Sequence, residues 1–172
     1  MISEKVLTAL NNQIGLEGYA SFLYLSMSSL CDNEGLSGCA AFMRRQSEEE
    51  REHMIKLFDY ISERDGHALT PAIAQVPIAF ESIQELFKLV YAHEQKVTKS
   101  INEIVTLANT ENDYATHLFL QWYVGEQQEE EASMRMILDR IKLIGLGPQS
   151  LYYIDKEIDK INNVALAAES TN

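Results

Sequence analysis

The chain has 172 residues, which is enough for one domain with a substantial core. Its formal net charge of −12 argues against nucleic acid or an anionic membrane as the primary partner, and favours cations. With only 3 Pro and 8 Gly, the chain can form long uninterrupted helices.

Hydrophobic periodicity, together with helix start and stop signals, predicts five helices in chain order. Their approximate bounds are Ser3 to Asp32, Ser37 to Arg64, Ser82 to Asn109, Asp113 to Ile144, and Ser150 to Ile161. No segment alternates at a period of two residues over a useful length, so no sheet is predicted. The tail from about residue 165 is expected to be frayed, and residues 1–172 to form one domain.

The lengths of the first four helices predict an all-α four-helix bundle. Each has about 28 residues, or about 40 Å at 1.5 Å per residue. The connections between the first and second helices and between the third and fourth are short. The connection between the second and third can cross the whole bundle, so these two helices are expected to run parallel. A short fifth C-terminal helix is added to this bundle.

Three features of the sequence bear on the cellular location of the protein. No apolar stretch follows the N-terminal MISEKVLTAL, so no export signal is predicted and the cytoplasm is the expected location. The longest uncharged helical run, residues 18–31, is too short to span a bilayer. Cys31 and Cys39, the two cysteines, are expected to be reduced thiols.

Each of the four bundle helices places polar side chains at mid-length on the face that also holds its apolar residues. An α-helix turns 100° per residue, so these faces follow from the spacing. The inward polar residues are Glu17, Glu50, His53, Glu94, Gln127 and Glu130.

So many buried carboxylates require protons or cations close by. Two carboxylates about 4 Å apart repel by about 4 kcal/mol at an effective dielectric of 20. The inward faces offer almost no Arg or Lys, so a pair of divalent or trivalent metal ions is predicted. A single Glu-x-x-His is more often a surface feature, and a single inward Glu is more often paired with a base. The prediction therefore depends on the coincidence across four helices.

Several motifs resemble the ferritin-like di-iron proteins, and among them the bacterial non-haem ferritins, along nearly the whole chain. They are NQIGLEGYASFLYLSMS, SEEEREHM, YAHEQ, FLQWYVGEQQEEE and SLYYIDKE. The di-iron pattern has one Glu from each of two helices and Glu-x-x-His from each of the other two. The fourth helix departs from it with Gln127-x-x-Glu130, which resembles the non-haem ferritins more than the bacterioferritins.

The resemblance implies two iron sites that share Glu50. The first consists of Glu17, Glu50 and His53, and the second of Glu50 and Glu94 with Gln127 and Glu130 nearby. Tyr24 matches the tyrosine beside the di-iron centre of the family. The implied chemistry is oxidation of Fe²⁺ by O₂ or peroxide, and storage of ferric oxyhydroxide inside a hollow shell of 24 subunits. Carboxylate oxygens with one imidazole suit iron.

A third iron site is expected beside this pair. The helical wheel and the resemblance together assign it to Glu49, Glu126, Glu129 and Glu130, with Glu130 shared. The alternative is that the first three form a solvated face. Haem is not expected, because Arg51 stands where bacterioferritins place the haem-binding methionine.

Two other functions stay open. One is a di-iron oxidase or peroxidase that stores no iron. The other is a helical interaction module whose inward acids are protonated or paired with buried bases. Gly15, Gly18 and Gly125 lie inside predicted helices near the site, where glycine is destabilising, and the sequence does not explain them.

Overall fold

A computed structural model describes residues 2–147 and 149–169, without the side chain of Glu169. Within these residues it contains five α-helices and no strand. They are α1 Glu4–Asn33, α2 Ser37–Glu63, α3 Ile83–Thr110, α4 Tyr114–Ile144 and α5 Ser150–Glu169. The predicted bounds of the first four helices are confirmed to within one residue, and the all-α class is confirmed.

Side-chain caps begin three of the helices. Ser3 accepts a hydrogen bond from the N–H of Val6 at 3.4 Å, and Ser82 accepts one from Glu85 at 3.1 Å. Asp113 caps α4 in the same way. These caps satisfy backbone donors that the first turn of a helix leaves free, and they explain why the sequence located these starts so closely.

The bundle core is divided into two apolar clusters with a polar layer between them. In the bundle, α1 packs mainly on α2, and α3 packs mainly on α4. One cluster includes Leu23, Met27, Phe42, Phe87 and Ile137, and the other includes Leu10, Ile14, Leu57, Ile101 and Leu120. The polar layer at the middle of the helices thus lies between two apolar clusters.

The connection between α2 and α3 crosses the bundle along α1, as predicted. Near its start, Asn11 Nδ2 donates to the carbonyl of His67 at 3.1 Å, and Asn11 Oδ1 accepts from the N–H of Leu69 at 2.7 Å. Near its end, the Ser26 hydroxyl donates to the carbonyl of Pro77 at 2.9 Å. Asn11 and Ser26 are about 22 Å apart along α1, so the connection traverses much of the bundle.

The connection explains one of the three unexplained glycines, Gly18, whereas a Cβ on Gly15 would make only an ordinary van der Waals contact. A Cβ on Gly18 would lie 3.0 Å from Cδ1 of Ile73, and a Cβ on Gly15 would lie 3.6 Å from Cβ of Pro71. Gly18 therefore lets the connection approach α1 closely. A Cβ on Gly125 would meet nothing within 4 Å, and nothing in the structure explains that glycine.

The fifth helix packs on α2 and α4 and supplies a cap for α2. The N-cap residue of α2, Leu36, has no side-chain acceptor. Instead, Oδ1 of Asp155 in α5 accepts a hydrogen bond from the N–H of Cys39 at 2.9 Å. The two helices approach closely at Gly38, where a Cβ would collide with the carbonyl oxygen of Asp155. This contact fixes α5 against the end of α2.

The structure corrects the predicted end of α5. The helix continues to Glu169 instead of ending at Ile161, so residues 165–169 are helical. Residues 170–172 lie outside the described residues. Asn162 is buried, and its Oδ1 accepts a hydrogen bond from Nε of Arg45 at 2.8 Å. This contact with α2 extends the packed face of α5, and it could not be read from the periodicity of α5 alone.

The expectations about thiols and membrane spans agree with the structure. Cys31 and Cys39 are free and buried. Burial raises the pKa of Cys31 to about 12 and also raises that of Cys39, so both stay as unreactive thiols at neutral pH. In the described part of the chain, no helix combines the length and apolar character needed to cross a membrane.

Candidate metal centre

The inward polar residues form one layer at mid-bundle, to which α1, α2, α3 and α4 all contribute. The layer consists of Glu17, Glu50, His53, Glu94, Gln127 and Glu130, all of them buried. Glu48 and Glu52, which flank this set on α2, are exposed, as the 100° spacing predicted. The helix that contains EEEREHM therefore turns Glu50 and His53 inward and Glu48 and Glu52 toward solvent, with Glu49 half-buried between them.

The most compact group in the layer is formed by Glu17, Glu50 and His53. One ligand atom from each lies within 4.8 Å of the others. As carboxylates, Glu50 and Glu17 have three oxygens without a donor among the described residues, and His53 Nδ1 also lacks a partner there. Buried polar atoms are normally paired. A metal ion bound to one ligand atom of each residue would give such atoms a partner, so this donor set fits one.

The pKa values in the layer show how strongly burial opposes negative charge there. Burial, followed by the charges of Glu94 and Glu17, raises the pKa of Glu50. Burial raises the pKa of Glu94 to about 7, and burial with the charge of Glu94 raises that of Glu130 to about 8. Burial lowers the pKa of His53, so its ring is neutral and can offer a lone pair.

Glu94 enters the layer from α3 and is held by side chains from two other helices. The Tyr24 hydroxyl donates a hydrogen bond to Glu94 Oε1. Gln127 Nε2 donates to Glu94 Oε2 at 3.1 Å. Burial and the charge of Glu94 raise the pKa of Tyr24, so the phenol keeps its proton and remains a donor. Tyr24 therefore lies directly beside the candidate centre.

The four residues assigned to a third site line one cavity beside the layer. Glu49, Glu126, Glu129 and Glu130 surround a space of about 800 Å³ between α2, α4 and the end of α5. Glu130 is buried, Glu49 and Glu126 are half-buried, and Glu129 is exposed. Their carboxylates share this cavity. Among the acidic, histidine and cysteine side chains of the described residues, however, only Glu17, Glu50 and His53 bring three ligand atoms within 4.8 Å of one another.

Two glutamines that the sequence reasoning did not assign to the site are bound to its residues. Gln13 Nε2 donates to Glu17 Oε1. Gln46 Nε2 donates to Glu130 Oε1 at 3.1 Å and to Glu49 Oε2 at 2.9 Å. Each glutamine lies four residues before an inward glutamate on the same helix face. That spacing was a usable signal, because i and i+4 side chains are neighbours.

Aromatic rings close one side of the layer. The centroid of the His53 ring is 5.4 Å from that of Trp122 and 5.2 Å from that of Tyr123. The ammonium of Lys56 lies 3.5 Å from the centroid of the Trp122 ring. Trp122 thus packs directly against the imidazole of the candidate centre.

Comparison with known proteins gives consistent matches over almost the whole chain. The family model described as ferritin-like domain matches residues 7–144. The chain is 46% identical to the bacterial non-heme ferritin of Campylobacter jejuni, over 97% of this chain and 98% of that protein. It is 40% identical to the bacterial non-heme ferritin of an Escherichia coli strain, over 94% and 98% of the two chains. Among solved structures, an open-pore ferritin from the archaeon Archaeoglobus fulgidus superposes with a TM-score of 0.89. That protein is 46% identical, and the match covers 92% of this chain and 98% of the other.

Proposed function

Because this chain belongs to the ferritin-like family, we propose that it is an iron-storage ferritin of the bacterial non-haem kind. It oxidises Fe²⁺ with O₂ or peroxide and stores ferric oxyhydroxide in a hollow shell. The observation that supports this most directly is the compact group of Glu17, Glu50 and His53, whose buried atoms lack donors in the described chain.

Iron is the substrate of the proposed centre. Glu17, Glu50 and His53 bind the first Fe²⁺, and Glu50 with Glu94 binds the second, with Gln127 and Glu130 adjacent. Carboxylate oxygens stabilise Fe³⁺ relative to Fe²⁺, so this ligand set favours loss of an electron. Two ferrous ions supply two electrons, which with two protons reduce O₂ to H₂O₂. When peroxide is the oxidant, the same two electrons and two protons give two waters.

The chain's own residues prepare the centre for these ions. Glu94 and Glu130, with pKa values raised to about 7 and 8, release protons when cations arrive. The hydrogen bond from Tyr24 orients Glu94, and the one from Gln13 orients Glu17. The Trp122 ring packs against the His53 ring and helps to hold the imidazole in place.

Iron leaves the centre through the neighbouring acidic cavity, which contains a third iron site. Glu130 borders both the centre and the cavity, which Glu49, Glu126 and Glu129 also line. A site made of carboxylates without imidazole holds iron weakly. It therefore serves as a way station between the pair of irons and the interior of the shell.

The subunits assemble into a cage of 24 copies in the cytoplasm and bind no haem. Support for assembly comes from exposed apolar side chains in three regions of the subunit. They are Phe22 and Ile78, then Tyr114 and Leu118, then Leu143, Tyr152 and Val164. Contacts between identical subunits in a closed shell would cover such side chains at several places on each subunit.

The centre is tested by Glu50→Ala, with Glu52→Ala as the matched control. Glu50 is buried and shared by both irons, whereas Glu52 lies two residues further on α2 and is exposed. We expect Glu50→Ala to lower the initial rate of Fe²⁺ oxidation under O₂ by at least about tenfold, and Glu52→Ala to leave it unchanged. A wild-type rate in Glu50→Ala would place the centre elsewhere.

A further inference from the structure

Arg45 places a positive charge in the wall of the acidic cavity. Its Nη1 donates to Oε1 of Glu49 in a close ion pair, in which the two side chains are only 14% and 25% exposed. Its Nη2 also donates to Oε1 of Gln46 at 3.3 Å. The guanidinium is therefore packed into the cavity wall against one of the four carboxylates proposed for the third site.

The amide of Gln46 adds a second donor among the same carboxylates. Its Nε2 lies 2.9 Å from Glu49 Oε2, and 3.1 Å and 3.2 Å from the two oxygens of Glu130. Every carboxylate oxygen of Glu49 and Glu130 thus accepts a hydrogen bond from Arg45 or Gln46. A cation bound to both glutamates would have to break these hydrogen bonds.

The fifth helix determines how the guanidinium is oriented. Oδ1 of Asn162, a residue that is 4% exposed, accepts a hydrogen bond from Nε of Arg45 at 2.8 Å. With Nε engaged by α5, the two Nη groups are turned toward Glu49 and Gln46. The planar fork of an arginine transmits this constraint, because its donors have fixed relative directions.

We propose that Arg45 is a built-in counter-ion of the third iron site, and that an iron ion must displace it from Glu49 to occupy that site. This inference rests on the proposed role of Glu49 and Glu130 as ligands of a third iron. The tether to Asn162 keeps the guanidinium close, so it returns to Glu49 when the ion leaves. Arg45 thereby weakens the third site selectively and favours onward release of iron.

The test is an anaerobic calorimetric titration of the assembled, iron-free protein with Co²⁺. The variant is Arg45→Gln, and the matched control is Arg44→Gln. Arg44 makes the same four-residue pair, with Glu48, but those two side chains are 62% and 67% exposed. We expect the first two Co²⁺ ions to bind alike in all three proteins. The affinity for the third ion should rise on the order of tenfold in Arg45→Gln and stay unchanged in Arg44→Gln.

A second variant distinguishes a counter-ion role of Arg45 from a purely structural one. Asn162→Leu keeps the arginine but removes its tether, so third-ion affinity should rise again, by less than in Arg45→Gln. It also serves if Arg45→Gln fails to fold, and circular dichroism establishes folding in each case. In crystals soaked in Co²⁺, the anomalous peak between Glu49 and Glu130 should gain occupancy in both variants.

Three results would overturn the inference, and they are distinguishable. Equal third-ion affinity in the wild type, Arg45→Gln and Asn162→Leu would leave Arg45 a structural link between α2 and α5. Two tight ions without a third in any protein would remove the third site and this inference, while the two-iron centre stands. A wild type that binds no Co²⁺ would contradict the proposed centre itself and everything that depends on it.

Discussion

At the scale of single residues, the buried carboxyls of the centre determine how the metal-free protein responds to pH. The folded-state pKa values of Glu94 and Glu130, about 7 and about 8, lie above the value near 4.3 of an unfolded chain. Between these limits the unfolded state binds fewer protons than the folded state. The contribution of these two groups to stability is therefore full below about pH 4 and is lost as pH rises through their folded-state pKa values.

We accordingly expect the apparent Tm of the metal-free protein to fall between about pH 5 and pH 8, by about 5 °C or more. Excess Zn²⁺ should cancel or reverse the trend, because the ions replace the protons as counter-charge. Differential scanning calorimetry at several pH values, with and without Zn²⁺, measures both. A metal-free Tm that rises over this range would contradict the pKa values.

Tyr24 offers a second test at this scale, because its hydroxyl touches a proposed ligand and not the apolar core alone. Tyr24→Phe removes the donor to Glu94, a hydrogen bond that favours the ionised carboxyl. We expect the second Co²⁺ to bind several-fold more weakly and Fe²⁺ oxidation to slow, while the helical circular dichroism is unchanged.

The control for this change is Tyr19→Phe. Tyr19 lies on the same helix and packs against the His93 ring, with centroids 5.7 Å apart. Among the described residues, no hydrogen bond or ring contact joins Tyr19 to a proposed ligand. Equal losses of affinity in both variants would mean that Tyr24 acts only through packing.

At the scale of elements, the approach of α5 to α2 depends on a missing side chain. Gly38→Ala would drive a Cβ into the carbonyl of Asp155 and to 2.7 Å from Cβ of Asp159. The helices must then separate, which breaks the hydrogen bond from Cys39 to Asp155. We expect a loss of about 2 kcal/mol in the free energy of unfolding, measured as a drop of several degrees in apparent Tm.

Gly125→Ala is the matched change in open space. It lies in the interior of α4, and an added Cβ meets nothing within 4 Å. An alanine there should stabilise the protein by about 0.5 to 1 kcal/mol, because glycine is the poorer helix former. We therefore expect Gly38→Ala to lower the free energy of unfolding and Gly125→Ala to raise it. A Gly38→Ala protein as stable as the wild type would show that α5 can be accommodated elsewhere.

The sequence predicted correctly those elements and residues whose positions depend only on neighbouring residues in the chain. The inward position of Glu50 and His53 follows from 100° per residue, and the cap at Ser82 follows from the side chain itself. The partners of these residues could not be predicted in the same way. Asn162 meets Arg45 across 117 positions of sequence, and Gln46 meets Glu130 across 84. Those contacts depend on how helices are placed in space, which periodicity does not specify.

At the scale of the whole molecule, the exposed apolar regions lead to a prediction about size. A cage of 24 subunits should have a mass of about 470 kDa, twenty-four times the 19.5 kDa chain. Light scattering at micromolar concentration and neutral pH measures it directly. A monomer or dimer under those conditions would contradict storage in a cage and would favour an oxidase that releases its product.

The cap that Asp155 supplies to α2 also has a consequence for the order of events during synthesis. The acceptor is made 116 residues after the donor on Cys39. At a translation rate of about 10 residues per second, α2 waits roughly ten seconds for its first turn to be completed. The first turn of α2 is therefore fully hydrogen-bonded only after Asp155 has left the ribosome and α5 has packed against α2.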